Sequence, residues 1–524
     1  MDGLDVVVVG GGANGLVCAL VLAQAGLKVL VVEGKAAVGG GCRTEFPFAK
    51  APKLAAHPGA HRIGFVPRDL TKMLGVELPL APRDPCAFVP TREPGRYLLA
   101  APGGEAFRAA ATALAPSDGR ALTAMDAELD AMLADLAPAW LAGPLPLEET
   151  SDRFVRAALR SAFVALCQGS LDAYLDKHGV ASPFVRAALA ADALSSTFGS
   201  PASPGTGAPL LVRHAARRTD GGGDAMAVGG LGAVVRAIAD AAQKEGVTIQ
   251  TGNSVMHVLV EGNMAAGVVL RDGTTVRAST VVVNVDPMQL RAMVGDAHFP
   301  PPYVKKIDGF FRAGSIAKVS LALSALPRFA CLPEVRGQHG AIVHLLPGDD
   351  PAASMRAAFA EAEAGRAPSA PPLELVIPSA GDPSQRDPDG RHHASILVPW
   401  APYDLAGTTW AAEEEAMLAR VIASLDAFAP GARDLVVEAS FLSPKKLESH
   451  FGVTHGHAHH VDDAFVFGDR LPYATPLQGL YACGAGCAPA GGAFAVSGHN
   501  AAKRVLADLE LGLERTEVGL QRVD

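Results

Sequence analysis

The sequence predicts an α/β protein in which a discontinuous, Rossmann-like domain is interrupted by an inserted α+β domain. Three observations predict it: a valine strand, glycine turn and apolar helix near the N-terminus, a second glycine turn, helix and strand near residue 230, and a strand, glycine turn and helix over residues 475–511. A chain of 524 residues is also too long for one hydrophobic core, so we expect two lobes.

Composition narrows the class of protein. Hydrophobic residues make up 49% of the chain and charged residues 19%, which is typical of a globular protein with large buried cores. A net charge of −9, without a basic cluster, argues against nucleic acid as a partner. The 7 cysteines are dispersed without a CxxC pair, which indicates reduced thiols and a cytoplasmic location.

The apolar stretch from Val6 to Val32 does not predict a membrane span, because glycines and Asn14 interrupt it. Asp2 stands where a signal peptide would carry basic residues, so we expect no signal peptide. Peripheral contact with a membrane surface and the oligomeric state are left open.

The first forty residues form a predicted βαβ unit. Asp5–Val9 is a β-branched run typical of a strand buried on both faces, and the turn Gly10–Gly15 matches GxGxxG. A compact apolar helix, Leu16–Ala25, leads to a second strand, Lys28–Val32, which ends at Glu33. The glycines allow backbone N–H groups to approach a pyrophosphate, and Glu33 can accept hydrogen bonds from ribose hydroxyls. The unit therefore predicts dinucleotide binding, and an empty tight turn is the alternative.

A second glycine run, Gly39–Gly41, follows shortly after Glu33 and is followed by Arg43 and Thr44. Here the sequence resembles the large FAD family that includes amine oxidases, phytoene desaturases and the Rab GDP-dissociation inhibitors. The resemblance implies that this turn contacts the phosphates and ribityl chain of FAD, with Arg43 as the charge partner of a phosphate. A solvated arginine in a flexible loop is the alternative.

The region from Ala106 to Thr197 is alanine-rich with helical periodicity, which predicts an inserted substrate or cap region. Its apolar helix faces are more typical of plain core than of a lipid-binding wall. The predicted helices are Leu122–Leu136, Asp152–Cys167, Leu171–His178 and Pro183–Ser196.

Sheet-type sequence then returns, with a glycine turn at Ala227–Ala233. It precedes, in order, a helix (Val234–Lys244) and strands (Val247–Gln250, Val255–Glu261, Ala266–Leu270 and Thr275–Val285). This order resembles the middle FAD-binding segment of the phytoene desaturase group. The resemblance implies that Val255 holds the adenine end through its backbone, and that Asn284–Pro287 marks the exit from the FAD domain.

The second part of the substrate domain is predicted from shorter patterns. Arg366–His393 is rich in proline and glycine, and we expect a mobile surface loop in part of it. The predicted strands are Lys318–Leu323 and Ala394–Val398, and the predicted helices are Ala353–Ala364 and Ala411–Phe428.

Five of the 16 histidines fall in one short stretch: His450, His455, His457, His459 and His460. If this stretch is a strand, alternate side chains share one face, which would bring His455, His457 and His459 together. They could form a wall over the cofactor that binds or polarises substrate, and they are the candidate general bases. Solvated or core histidines are the alternative. Zinc is less favoured because no cysteine or carboxylate partner has a recognised spacing, so we predict no metal.

The C-terminal region, from Thr475 through Gly486 and on to Ala502, again combines a strand, a glycine turn and a helix start. It resembles the segment that completes the flavin site in phytoene desaturase-related proteins, and most resembles the branch called pyridine nucleotide-disulphide oxidoreductase domain-containing protein 2. The family's H-P-G-G-G reads Ala488-Pro489-Ala490-Gly491-Gly492 here. The family histidine is absent, and Ala490 adds a methyl group near the expected edge of the flavin ring.

The resulting domain prediction is an FAD-binding domain in three parts (1–75, 216–290 and 470–511), a substrate domain in two parts (76–215, largely helical, and 291–469) and a tail (512–524). The predicted FAD-binding residues are Gly10, Gly12, Ala13, Asn14, Gly15, Glu33, Gly40, Gly41, Arg43, Thr44, Val255, Gly484, Gly491, Gly492, Ala493 and Phe494.

The resemblance implies an FAD-dependent oxidoreductase that transfers hydride from a substrate C–H to flavin N5, as a desaturase or dehydrogenase, with oxygen or a quinone as electron acceptor. A second GxGxxG unit for NADPH is absent, which disfavours a reductase. The substrate is a small molecule, either apolar, such as a polyene, or a small polar metabolite handled as in flavin amine oxidases. A non-enzymatic binding protein like the GDP-dissociation inhibitors is the distant alternative.

Overall fold

A computed structural model describes residues 3–67, 69–218 and 225–520, and for residues 511–520 only the backbone. The strands are β1 (Val6–Val9), β2 (Val29–Glu33), β3 (Leu80–Ala81), β4 (Ala87–Pro90), β5 (Tyr97–Ala100), β6 (Met226–Ala227), β7 (Thr248–Thr251), β8 (Val255–Glu261), β9 (Met264–Leu270), β10 (Thr275–Arg277), β11 (Thr280–Val283), β12 (Gly314–Leu323), β13 (Ile342–Leu345), β14 (Leu373–Val376), β15 (His392–Pro402), β16 (Val436–Leu442) and β17 (Leu480–Ala482).

The helices alternate with these strands at both ends of the chain and cluster in its first half. They are α1 (Ala13–Gln24), α2 (Leu70–Leu74), α3 (Gly104–Leu114), α4 (Gly119–Leu136), α5 (Leu147–Phe154), α6 (Arg160–Gln168), α7 (Leu171–His178), α8 (Pro183–Ala193), α9 (Gly207–Arg217), α10 (Leu231–Lys244), α11 (Pro287–Val294), α12 (Pro301–Asp308), α13 (Pro351–Glu363), α14 (Pro378–Gly381), α15 (Trp410–Phe428), α16 (Pro444–Phe451) and α17 (Val496–Leu520).

A five-stranded parallel sheet joins three distant parts of the chain. Its order is β17-β11-β1-β2-β7, and every neighbouring pair is parallel. β1 is buried along its whole length, as expected for a β-branched run inside a parallel sheet. Helix α1 packs against both α10 and α17. The predicted discontinuous Rossmann-like domain is therefore confirmed.

A three-stranded antiparallel sheet, β10-β9-β8, follows β7. The prediction of one continuous strand over Thr275–Val285 is wrong, because this segment forms two strands that belong to different sheets. β10 pairs with β9, whereas β11 enters the parallel sheet beside β1.

The inserted domain is built on a seven-stranded sheet of order β16-β12-β15-β14-β13-β4-β5. Helix α15 buries Trp410, Met417, Val421 and Leu425 in the core that also covers one face of this sheet. Helices α3 to α9 form the predicted helical block, although the predicted helix over 152–167 is divided into α5 and α6. β4 and β5 come from the segment expected to be largely helical, so that segment also supplies two strands to the sheet.

Two further expectations are corrected. The proline- and glycine-rich stretch 366–393 contains β14, a fully buried inner strand of the seven-stranded sheet, so the surface-loop expectation fails there. The alternation of apolar and polar side chains in Leu373-Glu374-Leu375 is typical of a strand, but the flanking prolines favoured the prediction of a loop. Residues 512–520, expected as a tail, continue helix α17.

No helix within the described ranges combines the length and apolar character that a bilayer crossing requires.

Candidate active site

A cleft of about 580 Å³ opens at the carboxyl ends of the parallel strands. It begins at Val9 and Gly10 at the end of β1, at Glu33, the last residue of β2, and at Asn284 directly after β11. Crevices at this edge of a parallel sheet are the usual ligand sites of doubly wound folds, and this volume is in the range of small-molecule and cofactor pockets.

The glycine turn after β1 is shaped by close backbone approach. Gly10 has a φ of 95°, in the region that favours glycine. A Cβ at Gly15 would lie 2.1 Å from the carbonyl oxygen of Gly10, so only glycine allows α1 to start this close to the turn. Gly40, with a φ of 53°, lies against Gly12. The two glycine runs therefore form one continuous wall of the cleft.

Glu33 lies at the end of β2 and is only 8% exposed. One carboxylate oxygen accepts the backbone N–H of Gly11 at 2.8 Å, and the other accepts the N–H of Lys35 at 2.8 Å. These bonds hold the carboxylate at the cleft, where a ribose hydroxyl can donate to it. Ribose binding by Glu33 stays a prediction.

Arg43 lines the cleft and is held by a neighbouring carboxylate. It donates to Glu45 at 2.8 Å, and its guanidinium lies 5.5 Å from the centre of the Phe451 ring. His450 approaches the same carboxylate at 2.9 Å. Burial opposes ionisation of Glu45, but hydrogen bonds from Arg43 and His450 outweigh it and lower its pKa. The arginine is therefore positioned at the cleft instead of being loose in solvent.

The structure brings most of the predicted FAD-binding residues to this cleft, and three do not line it. Gly15 packs beneath the turn, the Thr44 hydroxyl faces Gly232 at the start of α10, and Gly484 packs behind the cleft against Val285. Those that line it are Gly10, Gly12, Ala13, Asn14, Glu33, Gly40, Gly41, Arg43, Val255, Gly491, Gly492, Ala493 and Phe494. Lining residues that the sequence analysis missed include Arg62, Gly64, Arg271 and Phe451.

The C-terminal turn meets the N-terminal part of the chain at one end of the cleft. The Phe65 N–H donates to the Gly492 carbonyl at 2.7 Å, and the Phe494 N–H donates to the Phe65 carbonyl at 2.8 Å. A Cβ at Gly64 would lie 2.0 Å from the Gly492 oxygen. Ala490 is buried, and its methyl group faces a second cavity beside this contact.

The histidine stretch is not a strand, so the expected shared face of His455, His457 and His459 is wrong. Residues 454–456 form a short 3-10 turn, and His455 has a φ of 57°. The His455 ring stacks on Tyr403, with ring centres 4.1 Å apart, away from the cleft. His457 is buried, 3.6 Å from Asp462. Only His459 of these three lines the cleft, together with its neighbour His460.

His459 is oriented by a carboxylate, since its Nδ1 lies 2.7 Å from Asp463 Oδ2. The segment that carries it is fixed by Arg470, which is fully buried. The Arg470 guanidinium donates to the backbone carbonyls of His459, Val461, Asp462, Phe465 and Ala485. His459 thus lines the cleft with one ring nitrogen, Nδ1, already bonded to Asp463.

An inner chamber of about 60 Å³ adjoins this end of the cleft. The two cavities share Arg62, Gly64, His459 and Gly492 as lining residues. The other lining residues are mostly apolar or small: Phe65, Ala193, Ser195, Ser196, Pro209, Val212, Arg213, Ala216, Asp463 and Ala490.

A buried charged network, which the sequence analysis did not find, lies behind the chamber. Three guanidinium groups lie within ion-pair distance of the Asp192 carboxylate: Arg62 at 3.1 Å, Arg213 at 3.0 Å and Arg217 at 2.6 Å. Burial opposes ionisation of Asp192, but Arg213 and Arg217 outweigh it and hold the pKa well below its usual range. The Nε of Arg62 lies 3.2 Å from Glu374 and connects the two carboxylates.

Lys318 and His61 continue the network. Lys318 Nζ lies 2.8 Å from His61 Nδ1, and His61 Nε2 lies 2.7 Å from Glu374. Burial lowers the pKa of Lys318 to about 7, and it lowers the pKa of His61 to about 4 with help from Lys318. A neutral His61 can accept a hydrogen bond from Lys318 at Nδ1 and donate one to Glu374 at Nε2. A lysine inside the apolar run of β12 was the sequence signal for this network.

Asp192, His344 and Glu374 bring ligand atoms within 4.8 Å of one another, which raises the question of a metal ion. Three guanidinium groups already contact Asp192, and Arg62 also contacts Glu374. A cation added here would face these like charges, so we interpret the three residues as part of an ion-pair network.

Comparison with known proteins identifies the family. The family model described as flavin containing amine oxidoreductase matches residues 14–506. A rat protein named pyridine nucleotide-disulfide oxidoreductase domain-containing protein 2 is 30% identical, over 97% of this chain and 94% of its own length. Two solved structures share the fold at 17% identity: an oxidoreductase from Methanosarcina mazei (TM-score 0.62, 96% of this chain and 100% of that one) and putrescine oxidase bound to putrescine (TM-score 0.60, 97% and 99%).

The residues present fit the FAD of this family. The glycine walls leave room for a pyrophosphate beside Gly10 and Gly12, Glu33 is held at the edge of the cleft, and His460 Nδ1 is buried at the cleft without a partner among the described residues. The predicted cofactor is therefore confirmed as FAD. The chain belongs to the flavin containing amine oxidoreductase family and is an FAD-dependent oxidoreductase.

Proposed function

We propose that the enzyme oxidises a small polar metabolite by removing hydride from a substrate C–H bond, which leaves a new C=C or C=N bond. The observation that carries this proposal is the inner chamber at the Gly491–Gly492 end of the cleft, between Arg62 and His459. Bound FAD supplies the hydride acceptor at its N5 atom. The protein supplies the position of the substrate and the proton acceptor.

The size and lining of the chamber favour a polar substrate over a polyene. About 60 Å³ holds a small functional group, and two arginines, His459 and Asp463 border it. An extended apolar chain would remove water from these polar groups without replacing the hydrogen bonds to water, which is costly. A desaturase acting on a long polyene is therefore the less favoured candidate, and an enzyme like the flavin amine oxidases, acting on a small polar metabolite, is the favoured one.

Of the candidate bases, we propose that His459 takes the proton released from the substrate. Asp463 holds its Nδ1, so Nε2 is free to accept a proton on the cleft side. His455 and His457 are not proposed, because one stacks on Tyr403 and the other is buried beside Asp462.

An anaerobic screen tests the reaction class. Purified enzyme with bound FAD is mixed with amines, amino-acid derivatives, hydroxy acids and polyenes, and the bleaching of the flavin absorption band is followed. We expect a small polar compound to bleach it, and bleaching by polyenes alone would contradict the preference for polar substrates. If no compound in any class bleaches the flavin, hydride transfer from a C–H bond is refuted for these classes.

A matched pair of variants tests the base. His459→Ala is expected to slow flavin reduction by the active compound about 100-fold or more, in the range of general-base catalysis. His455→Ala, in the same segment but stacked on Tyr403, is the control and should reduce flavin at the wild-type rate. Equal rates in both variants would exclude His459 as the base.

We further propose that oxygen or a quinone accepts the electrons from the reduced flavin. We also propose a cytoplasmic location, with or without contact at a membrane surface. Seven free cysteines agree with a reducing compartment. Stopped-flow reoxidation with oxygen and with a soluble quinone distinguishes the acceptors. If neither reoxidises the flavin within a turnover time, both are excluded.

A further inference from the structure

A short segment of the inserted domain borders the cofactor cleft. Helix α16 follows β16 of the seven-stranded sheet and ends at Phe451. Residues 449–453, which we call the strap, lie at the end of this helix and supply four residues to the lining of the cleft: Ser449, Phe451, Gly452 and Val453. The second glycine run and Arg43, which belong to the Rossmann-like domain, also line it. A cofactor in the cleft is therefore bounded by both domains.

Polar contacts tie one end of the strap to the Rossmann-like domain. His450 Nε2 lies 3.0 and 2.9 Å from the two carboxylate oxygens of Glu45, and we call this contact the latch. Arg43, which also donates to Glu45 at 2.8 Å, has its guanidinium 5.5 Å from the centre of the Phe451 ring. Because Arg43 and Phe451 both line the cleft, their contact closes the cleft at this point.

The other end of the strap is attached to helix α11. The Gln289 side chain donates to the Gly452 carbonyl. Asp286, at the start of α11, accepts the backbone N–H of Thr454 at 2.8 Å and its hydroxyl at 2.9 Å. Gly452 has a φ of 67°, in the region that favours glycine, so the helix ends there and the chain turns towards α11. The strap is thus held at both ends, by α11 and by the latch.

The contacts that keep the strap closed are few, and water reaches the latch. The Glu45 and His450 side chains are 23% and 37% exposed, and exposed ion pairs contribute little to stability. Segments with few buried apolar contacts open at low cost in free energy while the rest of the protein stays folded. The apolar anchor of α16 is such a small cluster, separate from the two large cores: Ile316, Leu397 and Leu447, with Leu442 and Phe451 packed against it.

We infer that the strap is a gate for FAD, which opens when the latch between Glu45 and His450 separates and closes over the bound cofactor. Neither latch residue belongs to the described lining of the cleft, so both are positioning residues that act on FAD through the strap. The inference concerns the cofactor and is independent of the proposed substrate and base.

A gate has a kinetic consequence that a binding contact does not have. The same latch closes the strap with or without FAD, so weakening it increases the open fraction of both states by the same factor while the closed state predominates. FAD then enters and leaves faster by that factor, and its Kd stays the same. Loss of a binding contact would instead raise the release rate and the Kd together.

The test compares FAD release from the wild-type holoenzyme and from His450→Ala. Release is measured by exchange of bound FAD against an excess of radiolabelled FAD, and Kd by flavin fluorescence on dilution. His450→Ala removes the contact with Glu45 and is expected to raise the release rate constant about 3- to 10-fold, between the effects of an exposed ion pair and of a hydrogen bond to a charged group. Kd is expected to stay within about twofold of the wild-type value.

Lys446→Ala is the matched control. Lys446 lies on the same helix and pairs with Glu414 of α15 at 2.6 Å, and neither residue belongs to the described lining of the cleft. This variant should release FAD at the wild-type rate. An unchanged release rate in His450→Ala would overturn the gate. A Kd raised by the same factor as the release rate would also overturn it, because His450 would then support bound FAD without controlling its entry.

Two further variants separate the latch from general packing. His450→Gln can again donate to Glu45 and should return the release rate towards the wild-type value, so release as fast as in His450→Ala would overturn the role of the latch. His450 packs edge-on against Phe451, with ring centres 4.6 Å apart. If His450→Ala is not recovered with flavin, His450→Leu, which keeps an apolar contact with Phe451, takes its place with the same expected rates and the same refuting outcomes.

Discussion

Replacing Lys318 with methionine removes a buried cation from the network behind the chamber. The side chain is 2% exposed, and its Nζ lies 2.8 Å from both His61 and Ser395. Methionine has a similar length and can fill the same space without a charge. The substitution therefore isolates the effect of one buried ammonium group on stability.

The expected effect is a change in how stability depends on pH. The ordinary pKa of lysine, 10.5, is lowered to about 7 in the folded protein, mainly by burial. Between these values the unfolded chain binds more protons than the folded one, so the free energy of unfolding contributed by Lys318 rises with pH. Linkage gives a gain of about 2 kcal/mol between pH 7 and pH 9, which the methionine variant lacks.

Urea unfolding of the wild type and the variant at several pH values from 7 to 9 measures the difference. Other groups titrate in both proteins and cancel in the comparison. Lys72→Met, on the exposed surface of α2, is the control and should keep the wild-type pH dependence. If the difference between wild type and Lys318→Met stays constant across this range, the lowered pKa of Lys318 is refuted.

Three other predictions concern the cleft. Gly15→Ala places a Cβ 2.1 Å from the Gly10 carbonyl oxygen and should reduce the flavin content of the purified protein. Gly143→Ala, with open space around it, is the control and should keep the wild-type flavin content. Equal flavin-to-protein ratios in the two variants would contradict the close packing at Gly15. Glu33→Gln should weaken FAD binding about tenfold, measured by flavin fluorescence on dilution, because it loses charge-assisted hydrogen bonds, and unchanged affinity would exclude Glu33 as a ribose acceptor. Arg470→Met leaves several buried carbonyls without their donor and should lower the free energy of unfolding by about 3 kcal/mol or more. A thermal midpoint within a degree or two of wild type would refute the structural role of Arg470.

The parts of the site that sequence predicted are those built by local chain geometry. The turn at Gly10–Gly15, the acid at Glu33 and the glycines at Gly491 and Gly492 each follow a strand within a few residues, so short motifs identify them. Where a residue only supports the cleft wall through packing, the motif did not show that it lies outside the cleft. Thr44 and Gly484 match the family pattern but lie behind the cleft wall.

The histidine stretch shows why periodicity alone was insufficient. Alternation of histidines suggested a strand, but among the residues that the structure describes no strand pairs with this segment, and Arg470 donates to its carbonyls instead. The side chains then point in different directions, because each is set by a separate contact: Tyr403 for His455, Asp462 for His457 and Asp463 for His459.

The sequence by itself determined the cofactor, the Rossmann-like domain and its discontinuity, because strand, turn and helix signals are local and the carboxyl ends of parallel strands share one edge. Only the tertiary structure decided the chemistry beside that cofactor. The buried charged groups come from separate elements of the chain, and they interact only because folding buries them together: Arg62, Asp192, Arg213, Lys318 and Glu374. Electrostatic effects depend on separation and burial, and neither can be read from spacing along the chain.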